Sequence, residues 1–328
     1  MRPGARSIVF CRRGLFAGCA AVLPSRVARA EWPERSVTLL VCFPPGGATD
    51  VLARLIAPPL GEALGKPVVV ENRGGAGGNI GMGAAARAQP DGHTLLVTSS
   101  AFVVNPSLYR SIPYDPFRDF APITTLGASP NVIAVPADSP IRDFAQLLAE
   151  ARARPDALNY ASPGAGTTPH LAMEIIKIRA GIAIQHVPFS GAGPATQAAL
   201  AGTVQAISAA QGSIAPQLRS GQLRPLAQTG KRRVPDLPDT PTLEELGIRD
   251  AESETFLALF APAATPAAIV ARLARDTLAI LGRAAIQERF RVAGAPVVAD
   301  GPAGLRDRVA REVPLWRDVI REARITVE

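Results

Sequence analysis

Short apolar runs alternate with helical stretches along this chain, and the alternation starts over once. A chain patterned this way covers its strands by laying helices on a mostly parallel sheet, which fixes the class as α/β. The run Val37-Thr-Leu-Leu-Val-Cys-Phe43 is stopped by Pro44-Pro45-Gly46-Gly47. A helical pattern follows over 50–64, with Leu52, Leu55, Ile56 and Leu60 on one face. A second strand is predicted over 67–71, a small-residue helix over 80–88 and a third strand over 94–98. Pro90-Asp91-Gly92 makes the turn before that strand.

The restart begins with a strand over 131–135 and a helix over 141–153. A strand over 158–161 runs into Ser162-Pro-Gly-Ala-Gly-Thr-Thr168. Then come a helix over 171–180, a strand over 184–189, a helix over 194–201, and strands over 204–209 and 223–228. The last third reads as mainly helical, over 266–281, 284–293 and 301–323, and is expected to return and cover the first unit. At 328 residues the chain is long enough for two domains. The expectation is two lobes, one from 31–128 with 230–328 and one from 129–229. Crossovers near 127–130 and 228–231 would act as hinges.

The net charge of +7 is unevenly placed. Arg2, Arg6, Arg12, Arg13, Arg26 and Arg29 all fall within 1–30, which holds no acid. Without them 29 basic residues face 28 acidic ones, a balance of +1 that removes the electrostatic case for nucleic-acid binding. Arginines, a short apolar stretch over 14–23 and the small-x-small site Ala28-Arg29-Ala30 read as an export signal, cleaved after Ala30. Arg12-Arg13 leaves twin-arginine and general secretory routes both open. Cys11 and Cys19 would leave with the signal, so Cys42 would remain without a disulfide partner, as a buried strand residue. No later run of 18 or more apolar residues suggests a membrane span.

Two loops carry the candidate chemistry. Phe43-Pro-Pro-Gly-Gly-Ala-Thr-Asp50 and Ser162–Thr168 both join a strand to a helix N-terminus. First-turn amides there lack partners within the helix, and the helix end carries partial positive charge, so each loop is an anion cradle with no cationic side chain. Thr49 or Asp50 would cap the first helix. Ligands on such sheets bind beyond the carboxyl ends of strands, which adds Thr98 and Ser99 at the end of the third strand and Ala209 at the end of the strand over 204–209. A charge-assisted hydrogen bond contributes roughly 1.5–3 kcal/mol. Micromolar binding needs about 8 kcal/mol after an association cost of about 4 kcal/mol or more. One loop falls short; two closing on one ligand reach it.

Catalytic and metal patterns are absent from the sequence. The glycines over 74–81 miss the dinucleotide fingerprint because Ile80 stands where its third glycine belongs, so that loop is read as a tightly packed turn. No Gly-x-Ser-x-Gly elbow occurs, and His93, His170 and His186 have no metal-ligand spacing. His170, beside the second cradle, would either orient that loop or touch a ligand.

The chain resembles the Bug family, the solute receptors of tripartite tricarboxylate transporters. The resemblance rests on Phe43-Pro-Pro-Gly-Gly-Ala-Thr-Asp50, Val68-Val-Val-Glu-Asn-Arg-Gly-Gly-Ala-Gly-Gly-Asn-Ile-Gly81, Pro90-Asp-Gly-His-Thr-Leu-Leu96, Asn105-Pro-Ser-Leu-Tyr109, Asn159-Tyr-Ala-Ser162 and His186-Val-Pro-Phe189, in order. It implies a type II Venus-flytrap fold, a periplasmic monomer, no catalysis, no cofactor or metal, a small carboxylate ligand and membrane transporter subunits as partners. It also implies that the ligand meets Phe43 and the backbone of Gly46, Gly47, Ala48, Thr49 and Asp50. On the other lobe it implies Ser162, Gly164, Ala165, Gly166 and Thr167, often with ordered water. Thr168 and His170 complete the candidate set. Relatives often carry Phe-Asp-Asn where this chain has Ser208-Ala209-Ala210, so a particular relative's ligand does not transfer. Two other functions fit the same architecture: a ligand-responsive module docking on a sensor, and a cleft enzyme, against which the lack of a nucleophile–base pair argues.

Overall fold

The computed structural model describes residues 32–326 together with Met1 and Gly4. The expected signal over 1–30, with Cys11 and Cys19, lies outside the described residues but for those two positions. From Trp32 onward the chain forms one compact unit built on two half-sheets. The first is ordered β2-β1-β3-β9-β4, from β2 (Val68–Asn72), β1 (Val37–Val41), β3 (Thr94–Ser99), β9 (Glu254–Pro262) and β4 (Phe120–Pro136). The second contains β8 (Leu223–Gln228), the same β4, β7 (Ala206–Ala210), β5 (Asn159–Ser162) and β6 (Gln185–Pro188). In each half one strand opposes the rest: β9 runs against its neighbours in the first and β4 in the second. The α/β class and the two mostly parallel lobes therefore stand.

Helices cover both faces. The outer face of the first sheet buries Leu52, Ile56 and Leu60 of α1 (Ala48–Leu64) with Leu273 and Ile280 of α8 (Ala267–Leu281) and Phe290 of α9 (Ala284–Val292). α1 continues through Pro58 and Pro59, one exposed and one half-buried, where water can take the carbonyls they leave unpaired. Gly81, in α2 (Asn79–Ala86), packs so closely on β1 that a Cβ would meet Cys42 Cα at 2.7 Å, which bears out the tight turn. Cys42 is fully buried, its thiol donates to Thr98 Oγ1 at 3.2 Å, and burial pushes its pKa up to about 12. It is a core residue, as expected.

Several elements depart from the sequence reading. α3 (Ala101–Leu108), α7 (Gln211–Arg219), β9 and the first half of β4 were not anticipated. β9 is a continuous apolar run, Phe256-Leu-Ala-Leu-Phe-Ala261, inside a stretch otherwise marked by helices, and only its place between β3 and β4 makes it a strand. α4 (Phe144–Ala153) begins later than 141 because the Asp143 carboxylate accepts from the Gln146 amide at 2.8 Å and sets the start. The last helix, α10 (Gly301–Glu322), packs on α3 and β4 of the first half and also on α5 (Thr168–Ala180) of the second. It covers more than the first unit, and its Leu305, Trp316 and Ile320 share one core with Tyr160 and Leu171.

The two halves meet where β4 changes partners. Up to Pro130 it pairs with β9; from Asn131 it pairs with β7 and β8. The second crossover lies alongside. The Asn131 amide donates to Thr229 Oγ1 at 2.9 Å, the Thr229 hydroxyl donates to the Ser253 carbonyl, and the Ser253 amide donates to the Thr229 carbonyl at 3.0 Å. From Thr229 to Ser253 the chain stays beside the second sheet, with a parallel bridge from Thr242 to Gln228. Thr229 is 1% exposed. Replacing it with valine keeps its volume but orphans the Asn131 amide. Thr229→Val should lower the unfolding free energy by about 1–3 kcal/mol in urea titrations.

Candidate functional site

Four helices begin around a cavity of about 360 Å³ between the halves. α3 brings its N-cap Ser100 and Ala101; α5 brings N-cap Thr167, Thr168 and Pro169. α6 (Ala192–Leu200) brings Ala192, and α7 brings its N-cap Ala210 and Ser213. α3 then runs along the wall and presents Val104, Asn105 and Leu108 at helical spacing, followed by Tyr109. Phe43, Ser99 and Thr255 complete the polar and aromatic lining, and no charged side chain takes part. Helix N-termini are the source of positive potential here.

Of the candidate residues, Phe43, Ser99, Ala165, Gly166, Thr167 and Thr168 line the cavity. Gly46, Gly47, Ala48, Thr49, Asp50, Thr98, Ser162, Gly164, His170 and Ala209 stand outside its lining. Sequence reasoning missed the α3 wall, Ser213 and Thr255. The spacing of Ala101, Val104 and Leu108 was a usable signal for α3, but nothing local pointed it at a cleft.

The first loop is locked by a side chain the sequence assigned differently. Gly47, not Thr49 or Asp50, is the N-cap of α1, and no side chain caps it. Asp50 sits inside the first turn and folds back: its Oδ2 accepts from the Gly46 amide at 2.9 Å and from Arg54 Nε at 3.0 Å. Asn72 Nδ2 donates to its Oδ1 at 2.9 Å. The Arg54 hydrogen bond comes first among the causes that hold this carboxyl down at about 2. The Gly46 amide is thus occupied from within. The amides of Ala48, Thr49 and Asp50 remain unpaired, as first-turn amides are.

The second loop is held by a buried polar cluster. The Gly166 amide donates to His170 Nδ1 at 2.9 Å. His170 stacks on His186 with ring centres 3.8 Å apart and planes 13° from parallel. His186 Nε2 lies 2.7 Å from Ser162 Oγ, which accepts from the Gly164 amide at 3.2 Å. Beyond the stack, Tyr160 and Lys177 donate to Glu174 Oε1 at 3.0 and 2.9 Å. His170 is thus bonded to the loop backbone and stands outside the cavity lining. No motif pointed to a nucleophile–base pair, yet Ser162 and His186 do touch. Ser162 is completely buried and stands outside the cavity lining, so its hydroxyl is not presented to the cavity. Among the described residues no cluster of His, Cys, Asp and Glu could hold a metal, and no helix is long and apolar enough to cross a membrane.

Over residues 52–324 the sequence matches the profile of the tripartite tricarboxylate transporter family receptor. It is 36% identical over 311 residues to protein BugT of Bordetella pertussis, covering 94% of this chain and 95% of that one. The fold matches Rpa4515 of R. palustris, a structure with adipate, at TM-score 0.78 and 35% identity over 90% of this chain and 99% of that one. It matches MatC of Rhodopseudomonas palustris, with bound malate, at TM-score 0.75 and 32% identity, over 88% and 100%.

Burial lowers the pKa of His170 to about 4 and that of His186 to about 3, with the neighbouring Lys177 and His170 charges adding to it. Both rings are neutral in the fold at neutral pH, while in the unfolded chain they protonate near 6.5. Below about 6.5 the unfolded state binds more protons, so stability falls with pH until the folded rings titrate too. Urea titrations across pH 7 to 4.5 should show a loss approaching about 1.4 kcal/mol per pH unit for each ring. His170→Asn should flatten the slope.

Proposed function

Because this chain belongs to the tripartite tricarboxylate transporter receptor family, we propose that it is a periplasmic solute-binding protein that captures a small carboxylate between its lobes. It then hands that ligand to the membrane subunits of a tripartite transporter. The observation that carries this reading is the cavity: four helix N-termini converge on it and no charged side chain lines it. Such a site suits an anion small enough to be met by amides and hydroxyls. Its volume, about 360 Å³, lies at the low end of the roughly 300–1,000 Å³ of small-molecule sites. Relatives with adipate and malate fit that size class.

In this reading Ser99, Ala165 and Thr168 meet the ligand directly and Phe43 packs on its body, while Thr167, whose amide and hydroxyl donate to the Gly164 carbonyl, lines the cavity without a free donor. The unpaired amides of Ala48, Thr49 and Asp50 contribute through intervening water. Gly46, Gly164 and Gly166 shape the loops, because their amides are already donated. The protein works as a monomer, exported by its N-terminal segment, and performs no catalysis.

The test is a thermal-shift and calorimetry panel of C4–C6 dicarboxylates, short monocarboxylates, aromatic acids, sugars and amines. At least one carboxylate should raise the melting temperature and bind saturably. Shifts from sugars or amines alone would overturn the carboxylate reading. With a binder in hand, small-angle scattering should show a smaller radius of gyration at saturation. An unchanged radius would count against closure about the two crossovers.

A further inference from the structure

Loop Ser162–Thr168 presents five of its residues to the cavity, yet no ladder holds it between the end of β5 at Ser162 and the start of α5 at Thr168. Inside it Thr167 closes a turn, its amide and hydroxyl both donating to the Gly164 carbonyl at 3.3 and 2.7 Å, and two further points join the loop to the histidines. At the far end the Gly166 amide ends on His170 Nδ1 at 2.9 Å. At the near end Ser162 Oγ accepts from the Gly164 amide and sits 2.7 Å from His186 Nε2. The two imidazoles that anchor these points lie face to face at 3.8 Å. Tyr160 stacks on the outer side of His186 at 5.0 Å. Both of these points are thus tied to one set of stacked aromatic rings.

We propose that His170 and His186 form a stacked positioning pair that clamps the second loop, and that His170 withdraws the Gly166 amide from the ligand. Both are positioning residues, since neither lines the cavity. The inference rests on the reading of this cavity as the ligand site. Three observations converge on it. The Gly166 bond requires His170 Nδ1 to be unprotonated, so its proton sits on Nε2, which faces Glu174 Oε1 at 3.7 Å. His170 and Ser162 are buried, so bulk water competes little for the bonds they make. Gly166, with a φ of +74°, lies where a Cβ would strike Leu108 of the opposite lobe. A loop held less firmly would therefore change both the lining and the interlobe contact. The clamp also narrows what the loop offers. The Gly164 and Gly166 amides are spent on shape, leaving Ala165 and Thr168 to donate.

Ligand-free protein suffices for the first test. Amide hydrogen exchange at Gly166 should speed up at least tenfold in His170→Ala. It should return to within about threefold of wild type in His170→Asn, whose carbonyl can accept in place of Nδ1. A ring that only filled space would be missed equally in both variants, so an unrescued Asn variant overturns the clamp, as does unchanged exchange in His170→Ala. Should His170→Ala fail to fold, long-range 15N spectra of the wild-type imidazoles decide: a protonated His170 Nδ1 rules the proposal out. In the second arm, adipate and malate are titrated into wild type and both variants. For whichever binds, affinity should fall at least tenfold in His170→Ala and recover in His170→Asn; equal affinity in all three proteins overturns the positioning role. If wild type binds no carboxylate in the panel, the carboxylate reading fails while the exchange result still judges the clamp.

Discussion

One strand carries the architecture. β4 is 17 residues long and runs through both half-sheets, as the end strand of the first and an inner strand of the second. Its N-terminal part pairs with β9 and its C-terminal part is flanked by β7 and β8, so the partner switch between Pro130 and Asn131 fixes where the halves meet. The buried hydrogen bonds among Asn131, Thr229 and Ser253 tie the second crossover to the same place. On the proposed reading, closure of the lobes is rotation about these points. That in turn requires the ligand site to lie beside them, where small rotations bring the loops together.

Around that pivot the helices are aimed. α3, α5, α6 and α7 all start at the cavity, because each follows a strand or crossover whose end faces it. The loops before α1 and α5 are glycine-rich, yet in both a buried side chain consumes part of the amide supply. Asp50 takes the Gly46 amide and His170 takes that of Gly166. Glycine content alone therefore overstates how many donors reach a ligand. The loops are pre-shaped at the expense of some recognition capacity, a common arrangement where orientation limits affinity.

The parts legible in the sequence were those with local causes. Strand and helix alternation gave the α/β class, and the strand-to-helix loops gave Phe43 and 165–168 as cavity residues. What stayed hidden depends on distance along the chain. β9 is helix-compatible by composition and becomes a strand only between β3 and β4. Ser162 and His186 are 24 residues apart, and no spacing rule links them before β5 and β6 pair in parallel. Asp50 looked like a cap because it lies near a helix start. Its folding back onto Gly46 depends on Arg54 and Asn72 being where they are.

A site whose positive potential comes from backbone dipoles, in a protein of nearly balanced charge over 31–328, lacks a long-range field. Electrostatic steering needs net charge that acts across a Debye length, about 8 Å at physiological ionic strength. Helix-end dipoles fade within a turn. Encounter with an anionic solute is then governed by diffusion and loop geometry, and added salt leaves it largely untouched. A receptor built this way keeps its capture rate as the ionic strength outside the cell rises and falls, which one relying on an arginine-lined cleft would not.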